Sequence, residues 1–270
     1  MINHLILRKP TTHTPDKLFH PVITDSHVAL LEVDYNIHKS NSTYFADLDV
    51  SRTQLVSHLM SSGIHALGNN AKTKLVMDPS DPSRPAKGKM GIMLGAVHCS
   101  FRREIKPYAK FEMWSRILAW DRKWMYILTH FVEKGAVKPP SWDSGNFGPT
   151  RKDDGTPQDF EKKIYATALS KYVFKVGRLT VHPAIVIGAS GLLPERPGGW
   201  VATENGTAKS TEAAAAANGI IEEATDSNGW DWRRTEAELN RGLEFAEKFA
   251  AMDGMHDLFD GAKDGALARF

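Results

Sequence analysis

The segment from Asn41 to Gly68 constrains the fold more than any other part of the sequence. Its apolar residues recur at helical spacing, on one stripe or directly beside it: Tyr44, Leu48, Leu55, Val56, Leu59, Met60 and Ile64. The pattern predicts a helix of roughly six turns with one strongly apolar face, and Gly63 and Gly68 are expected to mark its end. A helix of this kind must be covered by a large apolar surface elsewhere in the chain.

That surface is predicted to be an antiparallel sheet. Five segments have the composition and alternation of strands. They cover residues 27–33, 91–101, 108–120, 124–132 and 164–176. The segment 91–101 is almost wholly apolar, as expected of a strand covered on both faces. The third and fourth form a long hairpin around a polar turn. The order predicts an α+β fold in which a long central helix is wrapped by an antiparallel β-sheet.

The two ends of the chain differ from this central part. Residues 1–25 lack clear periodicity and are predicted to be an N-terminal arm, and residues 26–190 form the main domain. Beyond Pro194 the sequence becomes rich in alanine, glycine and threonine, which is typical of a linker. Residues 231–252 have the pattern of an amphipathic helix that packs on the main body. Residues 191–270 are therefore predicted to be a linker and a helical C-terminal extension.

Composition excludes several classes of function. The net charge is +2 and no block of five like charges occurs, so binding to nucleic acid or to a membrane surface is not expected. No window approaches 18 apolar residues and the N-terminus lacks a signal-peptide core, which predicts a soluble, cytoplasmic protein. The single cysteine, Cys99, lies in an apolar run and is interpreted as a small core residue rather than a nucleophile.

Motifs for metals, nucleotides and serine catalysis are missing from the sequence. The histidines show no ligand spacing such as H-E-x-x-H, and no glycine-rich phosphate loop follows a strand. The sequence around Ser190, GASGLLP, does not match G-x-S-x-G and is interpreted as a turn. We therefore expect neither a metal nor a cofactor.

The stretch DYNIHKSNSTY, residues 34–44, places an acid between a predicted strand and the start of the long helix. Backbone N–H groups at a helix start carry partial positive charge, and we expect Ser40, Ser42 and Thr43 to satisfy some of them. One such N–H group near Asn41 can polarise a carbonyl. Asp34 can equally be an acid that only complements the helix dipole.

The neighbouring residues also have two interpretations each. His38 either orients Asp34 or is a polar loop residue, and Tyr44 either lines a pocket or is a core aromatic residue. Asn41 either contacts substrate or caps the helix. On the following turns, Asp47, Asp49 and Arg52 are expected on the solvated face of the helix.

Two motifs carry a resemblance to a known family. The pattern D-x-x-x-H-x-x-N-x-x-Y, formed by Asp34, His38, Asn41 and Tyr44, is followed at the hairpin by W-D-x-K-W. Together they resemble the hotdog-fold thioesterases, in particular the 4-hydroxybenzoyl-CoA thioesterase-like group, which includes thioesterase-like proteins common in fungi. The resemblance covers roughly residues 26–190.

The resemblance implies roles for these residues. Asp34 would act as nucleophile or general base, and the backbone N–H of Asn41 would polarise the thioester carbonyl. His38 and Tyr44 would contact substrate. It also implies a homodimer whose sheets join edge to edge, with each active site at the subunit interface. The tryptophans of the second motif are expected to have a structural role.

The sequence departs from the family at one position of this motif. Ile37 stands where many hotdog thioesterases have glycine. Candidates for binding the phosphates of CoA are suggested by charge alone: Arg102, Arg103 and Lys106.

The expected function is hydrolysis or release of an acyl thioester carried by CoA or by a carrier protein, within a fungal biosynthetic pathway. Two alternatives use the same scaffold. One is a dehydratase, isomerase or cyclase acting on a polyketide-like substrate, and the other is a non-catalytic acyl-binding protein.

Overall fold

A computed structural model describes residues 13–137, 160–201 and 229–258 of the chain. The helices are α1 (Thr43–Gly68), α2 (Asn70–Thr73), α3 (Pro183–Ala189) and α4 (Trp232–Ala251). The strands are β1 (Val22–His27), β2 (Met77–Asp78), β3 (Asp81–Pro85), β4 (Met90–Phe101), β5 (Lys110–Trp120), β6 (Met125–Glu133), β7 (Ile164–Val176) and β8 (Leu179–Val181). Short 3₁₀ turns occupy Pro15–Lys17, Leu30–Glu32, Phe160–Lys163 and Met252–Leu258.

One antiparallel sheet and one long helix form the body of the molecule. The main path of the sheet has the order β1-β5-β6-β7-β4, and β8 pairs with β7. Helix α1 has 26 residues and buries the apolar stripe that the sequence predicted. Leu55 and Leu59 share a core with Ile117 of β5, Ile127 of β6 and Phe174 of β7. The predicted hotdog arrangement, a long helix wrapped by an antiparallel sheet with a helical C-terminal extension, is confirmed.

The sheet curves around the helix because its ladders are interrupted. The register shifts between Leu94 and Ala96 in β4, and between Ile117 and Ala119 in β5. Each irregularity adds a bend and extra twist to the strand that carries it. At the first of them, a Cβ on Gly95 would lie 2.4 Å from the ring of Trp124. Glycine is therefore required for the indole to pack against the bent strand.

A row of buried hydroxyl groups joins the helix to the sheet. Ser51 of α1 lies 2.8 Å from Ser115 of β5, measured between the two oxygens, and accepts a hydrogen bond from Thr24 of β1 at 3.1 Å. Ser115 in turn lies 2.7 Å from Thr129 of β6. These groups satisfy one another, so the row costs little desolvation energy while fixing the position of the helix along the strands.

The first strand was predicted in the wrong place. It begins at Val22 rather than His27, and it pairs with β5 through the register Val22–Ser115 to His27–Lys110. The apolar run that follows is a 3₁₀ turn in which Leu31 is 98% exposed. Alternation of apolar residues was therefore misleading here, because Leu30 and Leu31 face away from the core and only Val28 of the run is fully buried.

Strand β4 was predicted to be covered on both faces, and this prediction is wrong. It pairs with β7 alone and forms an edge of the sheet. Met93 and Leu94 are close to half exposed, and Phe101 is also exposed. The strand is apolar although much of its surface is open in the single chain.

The C-terminal helix α4 packs on the outer face of the sheet, as predicted. A Cβ on Gly242 would lie 2.2 Å from the carbonyl oxygen of Leu118, so the helix and β5 are in close contact. Ala246 and Phe249 share a small core with Leu118 and Tyr126. The predicted linker falls mostly on residues 202–228, which lie outside the described residues.

Gly63 lies inside α1 rather than at its end, as the sequence had suggested. A Cβ at this position would lie 2.2 Å from the carbonyl oxygen of Val186 in α3 and 2.4 Å from Oγ of Ser190. Ser190 itself accepts a hydrogen bond from the Gly63 N–H at 3.2 Å and donates to the Val186 carbonyl at 2.8 Å. Glycine is needed for the two helices to approach closely. Gly68, by contrast, does end the helix.

We predict that Gly63→Ala destabilises the protein by about 1–3 kcal/mol, the usual cost of an added methyl group in a tight contact. Alanine is the better helix former by about 1 kcal/mol, so a loss of stability would show that the contact with α3 dominates. Gly68→Ala is the matched control, because a Cβ there meets nothing within 4 Å. The free energy of unfolding of both variants is measured by urea denaturation. Equal denaturation midpoints for Gly63→Ala and Gly68→Ala would contradict the prediction.

Candidate functional site

A miniature hairpin carries the first half of the predicted motif. Val33 and Lys39 form an isolated antiparallel bridge. Inside it, the N–H of Asp34 donates to the carbonyl of His38 at 3.0 Å, and the N–H of Ile37 donates to the carbonyl of Asp34 at 3.0 Å. Asp34 therefore lies in a tight loop and not at a strand end, since β1 has already ended at His27. The hairpin nevertheless brings Asp34 and His38 together.

The tip of this hairpin has an unusual backbone conformation. Ile37 has a φ of 62°, in the left-handed region that β-branched residues rarely adopt. The position needs a positive φ, which glycine provides without strain. This explains why glycine is frequent here in the hotdog thioesterases that the motif resembles. The isoleucine adopts this conformation at a cost of about 1–2 kcal/mol.

The carboxylate of Asp34 contacts both its own loop and the imidazole. Its Oδ1 accepts the N–H of Asn36 at 2.9 Å, which closes an Asx turn, and lies 3.8 Å from Nδ1 of His38. Both side chains are partly exposed. The 3.8 Å separation is longer than a direct hydrogen bond, and Nδ1 of His38 lies 3.4 Å from the carbonyl oxygen of Lys39. The two side chains are nevertheless neighbours, and a carboxylate beside an imidazole is a pair of groups that general-base chemistry uses.

The start of α1 differs from the predicted cap. Ser42, which precedes the first helical residue, makes no side-chain cap hydrogen bond. Thr43 instead donates its hydroxyl to the carbonyl of Ser40 at 2.7 Å, and the Ser40 and Ser42 hydroxyls lie 3.1 Å apart. The prediction that these side chains cap the helix is therefore wrong for Ser42. A helix start without a side-chain cap keeps donors available for a ligand.

A cleft of about 210 Å³ opens beside this helix start. Its lining residues are His38, Lys39, Asn41, Tyr44, Phe101, Arg102, Arg103 and Glu104. Three of the four predicted site residues lie there, and Asp34 is connected to the cleft through the imidazole of His38. The end of β4 supplies the opposite wall.

Tyr44 is both a core aromatic residue and part of the cleft wall, the two alternatives considered for it. Its ring is buried and lies edge-on to Phe101, with ring centres 5.0 Å apart, and 4.9 Å from the ring of Phe131. It also forms part of the cleft wall. Burial raises the pKa of the Tyr44 hydroxyl, so the phenol stays protonated at neutral pH.

Lys39 is a component of the site that sequence reasoning missed. Its side chain is fully buried, and Nζ lies 3.0 Å from Glu32 Oε2 and 2.8 Å from Asp47 Oδ2. The rings of Tyr44 and Phe111 flank the ammonium at 5.4 and 5.5 Å. Nothing in the polar sequence HKSNS signals this burial, because the partners come from an adjacent turn and from the helix.

Asp47 and Arg52 were predicted on the solvated face of α1, and the structure buries most of both side chains. Asp47 is largely buried, and desolvation raises the pKa of its carboxyl group while the Lys39 ammonium partly offsets the rise. Arg52 is buried and donates to Ser170 Oγ of β7 at 2.6 Å and to Asp49 at 2.5 Å. Only Asp49 is exposed as predicted.

Two arginines at the end of β4 line the mouth of the cleft. The side chains of Arg102 and Arg103 are exposed, and the guanidinium groups lie 3.6 and 3.8 Å from carboxylate oxygens of Glu161 and Glu133. The backbone N–H groups of both arginines donate to the carbonyl of Tyr165 at 2.8 and 3.0 Å. The guanidinium of Arg103 lies over the Tyr165 ring, with its central carbon 4.5 Å from the ring centre. Charge alone had suggested these residues, and the fold brings both to the helix start. Lys106, suggested with them, is not among the lining residues.

The second motif, W-D-x-K-W, has the structural role that was predicted. Asp121 accepts the N–H groups of Lys123 and Trp124 at 2.7 and 2.6 Å, and the hydroxyl of Tyr126 at 2.8 Å. The carboxylate thereby closes the turn between β5 and β6, and Trp120 is buried in the core.

The described part of the chain was also searched for metal sites, membrane-spanning helices and further cavities. No group of three or more histidine, cysteine or acidic side chains within it is arranged to hold a metal ion. None of its helices is long and apolar enough to cross a membrane. A wider depression of about 590 Å³ lies between α3 and residues 193–201, lined mainly by apolar groups.

Cys99 is partly buried on β4, beside the core formed by Tyr44 and Phe131. Burial raises the pKa of its thiol to about 11, which leaves little thiolate at neutral pH. This agrees with its interpretation as a packing residue.

We predict that Cys99 in the native protein reacts with iodoacetamide at pH 8 roughly a hundredfold more slowly than a free cysteine, whose pKa is about 8.5. Because the chain has one cysteine, the labelled fraction followed by mass spectrometry reports this thiol alone. The same protein unfolded in guanidinium is the control. Equal labelling rates before and after unfolding would show that the thiol is neither buried nor raised in pKa.

Comparison with known proteins agrees with the two motifs. The profile of the thioesterase-like superfamily matches residues 28–148. The probable thioesterase atnL of Emericella nidulans is 32% identical over 273 residues, which cover 98% of this chain and 81% of that protein. The thioesterase poxG of Penicillium oxalicum is 34% identical over 271 residues, covering 95% of this chain and 77% of that protein.

Among solved structures, the probable thioesterase YbaW from Escherichia coli is 11% identical, with a TM-score of 0.41; the match covers 63% of this chain and 96% of that one. The fungal relatives, by contrast, match nearly the whole of this chain and most of their own length. The family resemblance inferred from the sequence is therefore confirmed: the chain belongs to the thioesterase-like superfamily.

Proposed function

We propose that this protein hydrolyses an acyl thioester. The observation that carries the proposal is the cleft at the start of α1, which His38 and Asn41 both line and where the Asp34 carboxylate lies 3.8 Å from the His38 imidazole. Two curated fungal relatives are named as thioesterases, one of them as probable. A carboxylate, a helix start and a cleft are the parts that thioester hydrolysis needs.

Asp34 is the proposed base or nucleophile. Its Oδ1 is engaged by the Asn36 N–H, which orients the carboxylate without neutralising it. The group either attacks the thioester carbonyl or removes a proton from water, and His38 orients it from the cleft side. If Asp34 attacks, a mixed anhydride with its carboxylate forms as the bond between the acyl carbon and sulfur breaks; the thiolate takes a proton from solvent, and water then hydrolyses the anhydride to the acid. If Asp34 acts as a base, water adds to the acyl carbon, the same carbon–sulfur bond breaks, and the proton held by Asp34 passes to the departing thiolate.

The backbone N–H of Asn41 is the proposed donor to the carbonyl oxygen. Asn41 lies two residues before the first helical residue, in a segment where Ser42 provides no side-chain cap. The helix start carries roughly half a positive charge, which stabilises an oxyanion formed there. Removing one such donor typically costs about 3 kcal/mol of transition-state stabilisation.

The thiol carrier is proposed to be CoA or a carrier protein bearing the same phosphate-containing arm. Arg102 and Arg103 lie at the mouth of the cleft, where guanidinium groups suit a phosphate. Tyr44 and Phe101 offer an apolar wall for the acyl group. Because the named relatives are fungal, we propose a role in a fungal biosynthetic pathway, and a cytoplasmic location stays a prediction.

The working unit is proposed to be a homodimer joined through β4. This edge strand has 12 residues against six in β1, the strand at the other edge, and it exposes Met93 and Leu94. Such an apolar edge is a ready template for pairing with another strand. Because Phe101 ends this strand and Arg102 follows it directly, and both line the cleft, a partner paired here would lie next to the site.

We predict that Asp34→Asn lowers thioester turnover by at least about a hundredfold, the usual contribution of a positioned base. The amide oxygen can still accept the Asn36 N–H, so the loop should keep its shape. Asp78→Asn is the matched control, because Asp78 closes the same kind of turn with the Ser80 N–H at 2.9 Å, outside the cleft.

The measurement is thiol release from a panel of acyl-CoA and acyl-carrier-protein substrates. Wild-type turnover in a folded Asp34→Asn variant would remove the assignment. Binding of acyl ligands by the wild type without thiol release would favour an acyl-binding protein. A change in substrate mass without thiol release would favour a dehydratase, isomerase or cyclase.

We predict a dimer at micromolar concentration, and a shift toward monomer in Leu94→Lys, because a charge on the pairing edge opposes strand addition. Ile23→Lys is the control on the opposite edge strand, where a similarly exposed apolar side chain is replaced. Light scattering of the three proteins gives their masses. A monomeric wild type, or a dimer broken only by Ile23→Lys, would contradict pairing through β4.

A further inference from the structure

Lys39 occupies an unusual position in the candidate site. It stands between His38 and Asn41 in the chain, yet its side chain is fully buried. The ammonium lies between two carboxylates, 3.0 Å from Glu32 and 2.8 Å from Asp47. These partners belong to two different elements, the 3₁₀ turn Leu30–Glu32 and helix α1.

The ammonium therefore joins three segments that no sheet ladder holds together. Backbone hydrogen bonds add to the same junction: the N–H of Lys39 donates to the carbonyl of Ile105 at 2.9 Å, and the N–H of Ser40 donates to the carbonyl of Glu32 at 2.7 Å. The junction connects the hairpin of Asp34 and His38 at one side with the helix start at the other. The hairpin also contains the strained Ile37, so it needs an external anchor to keep its shape.

We propose that Lys39 is a positioning residue for the reaction: its two ion pairs hold the Asp34–His38 hairpin in register with the start of α1. This rests on the proposed function. Lys39 touches no reacting atom in this role. It fixes the distance between the group that attacks or activates water and the donor that receives the oxyanion, and turnover depends steeply on that distance.

A second buried lysine makes the inference testable against a purely structural role. Lys171 is equally buried, and its Nζ lies 2.6 Å from both carboxylate oxygens of Asp253. It lies between the rings of Trp124 and Phe249, under the C-terminal helix and away from the cleft. The two lysines share burial, aromatic neighbours and acidic partners, and they differ in what they position.

The experiment compares Lys39→Met with Lys171→Met. For Lys39→Met we expect kcat to fall at least tenfold with KM changed less than threefold, because substrate still enters the cleft but the reacting groups lose their alignment. Amide hydrogen exchange at Asp34 and Ser40 should accelerate at least tenfold. Lys171→Met should leave kcat and both exchange rates unchanged.

A double variant covers the case in which Lys39→Met does not fold. Lys39→Met leaves the largely buried Asp47 carboxylate without its ammonium, whereas Lys39→Met/Asp47→Asn removes both charges together. We expect the double variant to fold and to keep the low kcat and the fast exchange. A folded variant with wild-type kcat and unchanged exchange would overturn the inference.

Failure of the inference and failure of the proposed function give different results. If the wild type releases no thiol from any substrate, the proposed function fails; in that case the exchange rates of Asp34 and Ser40 still decide whether Lys39 holds the hairpin. If the wild type is active and both lysine variants lose activity equally, the effect is a general loss of stability, and Lys39 has no positioning role.

Discussion

The burial of α1 along its whole length is the constraint on which the rest of this structure depends. A 26-residue helix has one apolar face, and covering it requires strands of comparable reach, here nine to 13 residues in β4 to β7. A flat sheet would touch only part of such a helix, and the interrupted ladders of β4 and β5 supply the bend that lets the sheet follow it. The hydroxyl row through Ser51 and Ser115 then sets where along the sheet the helix lies.

The location of the candidate site follows from the same packing. Because the helix is held at its middle by the sheet, its first turn extends to the place where β4 ends, and Asn41 and Phe101 come to line one cleft. The chain reaches that turn through a hairpin whose own hydrogen bonds bring Asp34 and His38 together. The sheet provides the rigid frame, and an irregular segment carries the side chains proposed to take part in the reaction. This division is common, since loops on a rigid scaffold can vary without loss of the core.

The parts of the fold that sequence could predict are those governed by local periodicity. The stripe of α1 and the β5–β6 hairpin were predicted because apolar spacing and a polar turn specify them directly. The first strand was misplaced because HVALLEV has strand-like alternation, although Leu31 faces solvent. Asp47 and Arg52 were placed on a solvated face because charge is usually exposed, and only the tertiary fold supplies the buried partners Lys39 and Ser170. Motif spacing identified three candidate residues that line one cleft, His38, Asn41 and Tyr44, and it could not identify the buried Lys39.

The buried cations of the described residues share a common purpose in this fold. Lys39, Arg52 and Lys171 are each buried, and each has a carboxylate partner that is more exposed than itself. None of the three links two neighbouring strands, whose ladders already hold them. The ion pairs of Lys39 and Lys171 join a loop to α1 and β7 to the segment after α4. Arg52 joins α1 to β7 through its hydrogen bond to Ser170, since its carboxylate partner Asp49 lies on the same helix. A buried ion pair adds little net stability over an apolar contact, but it tolerates few alternative arrangements, because an unpaired buried charge is costly. The buried cations of this fold therefore fix the positions of elements that hydrophobic packing alone would allow to shift.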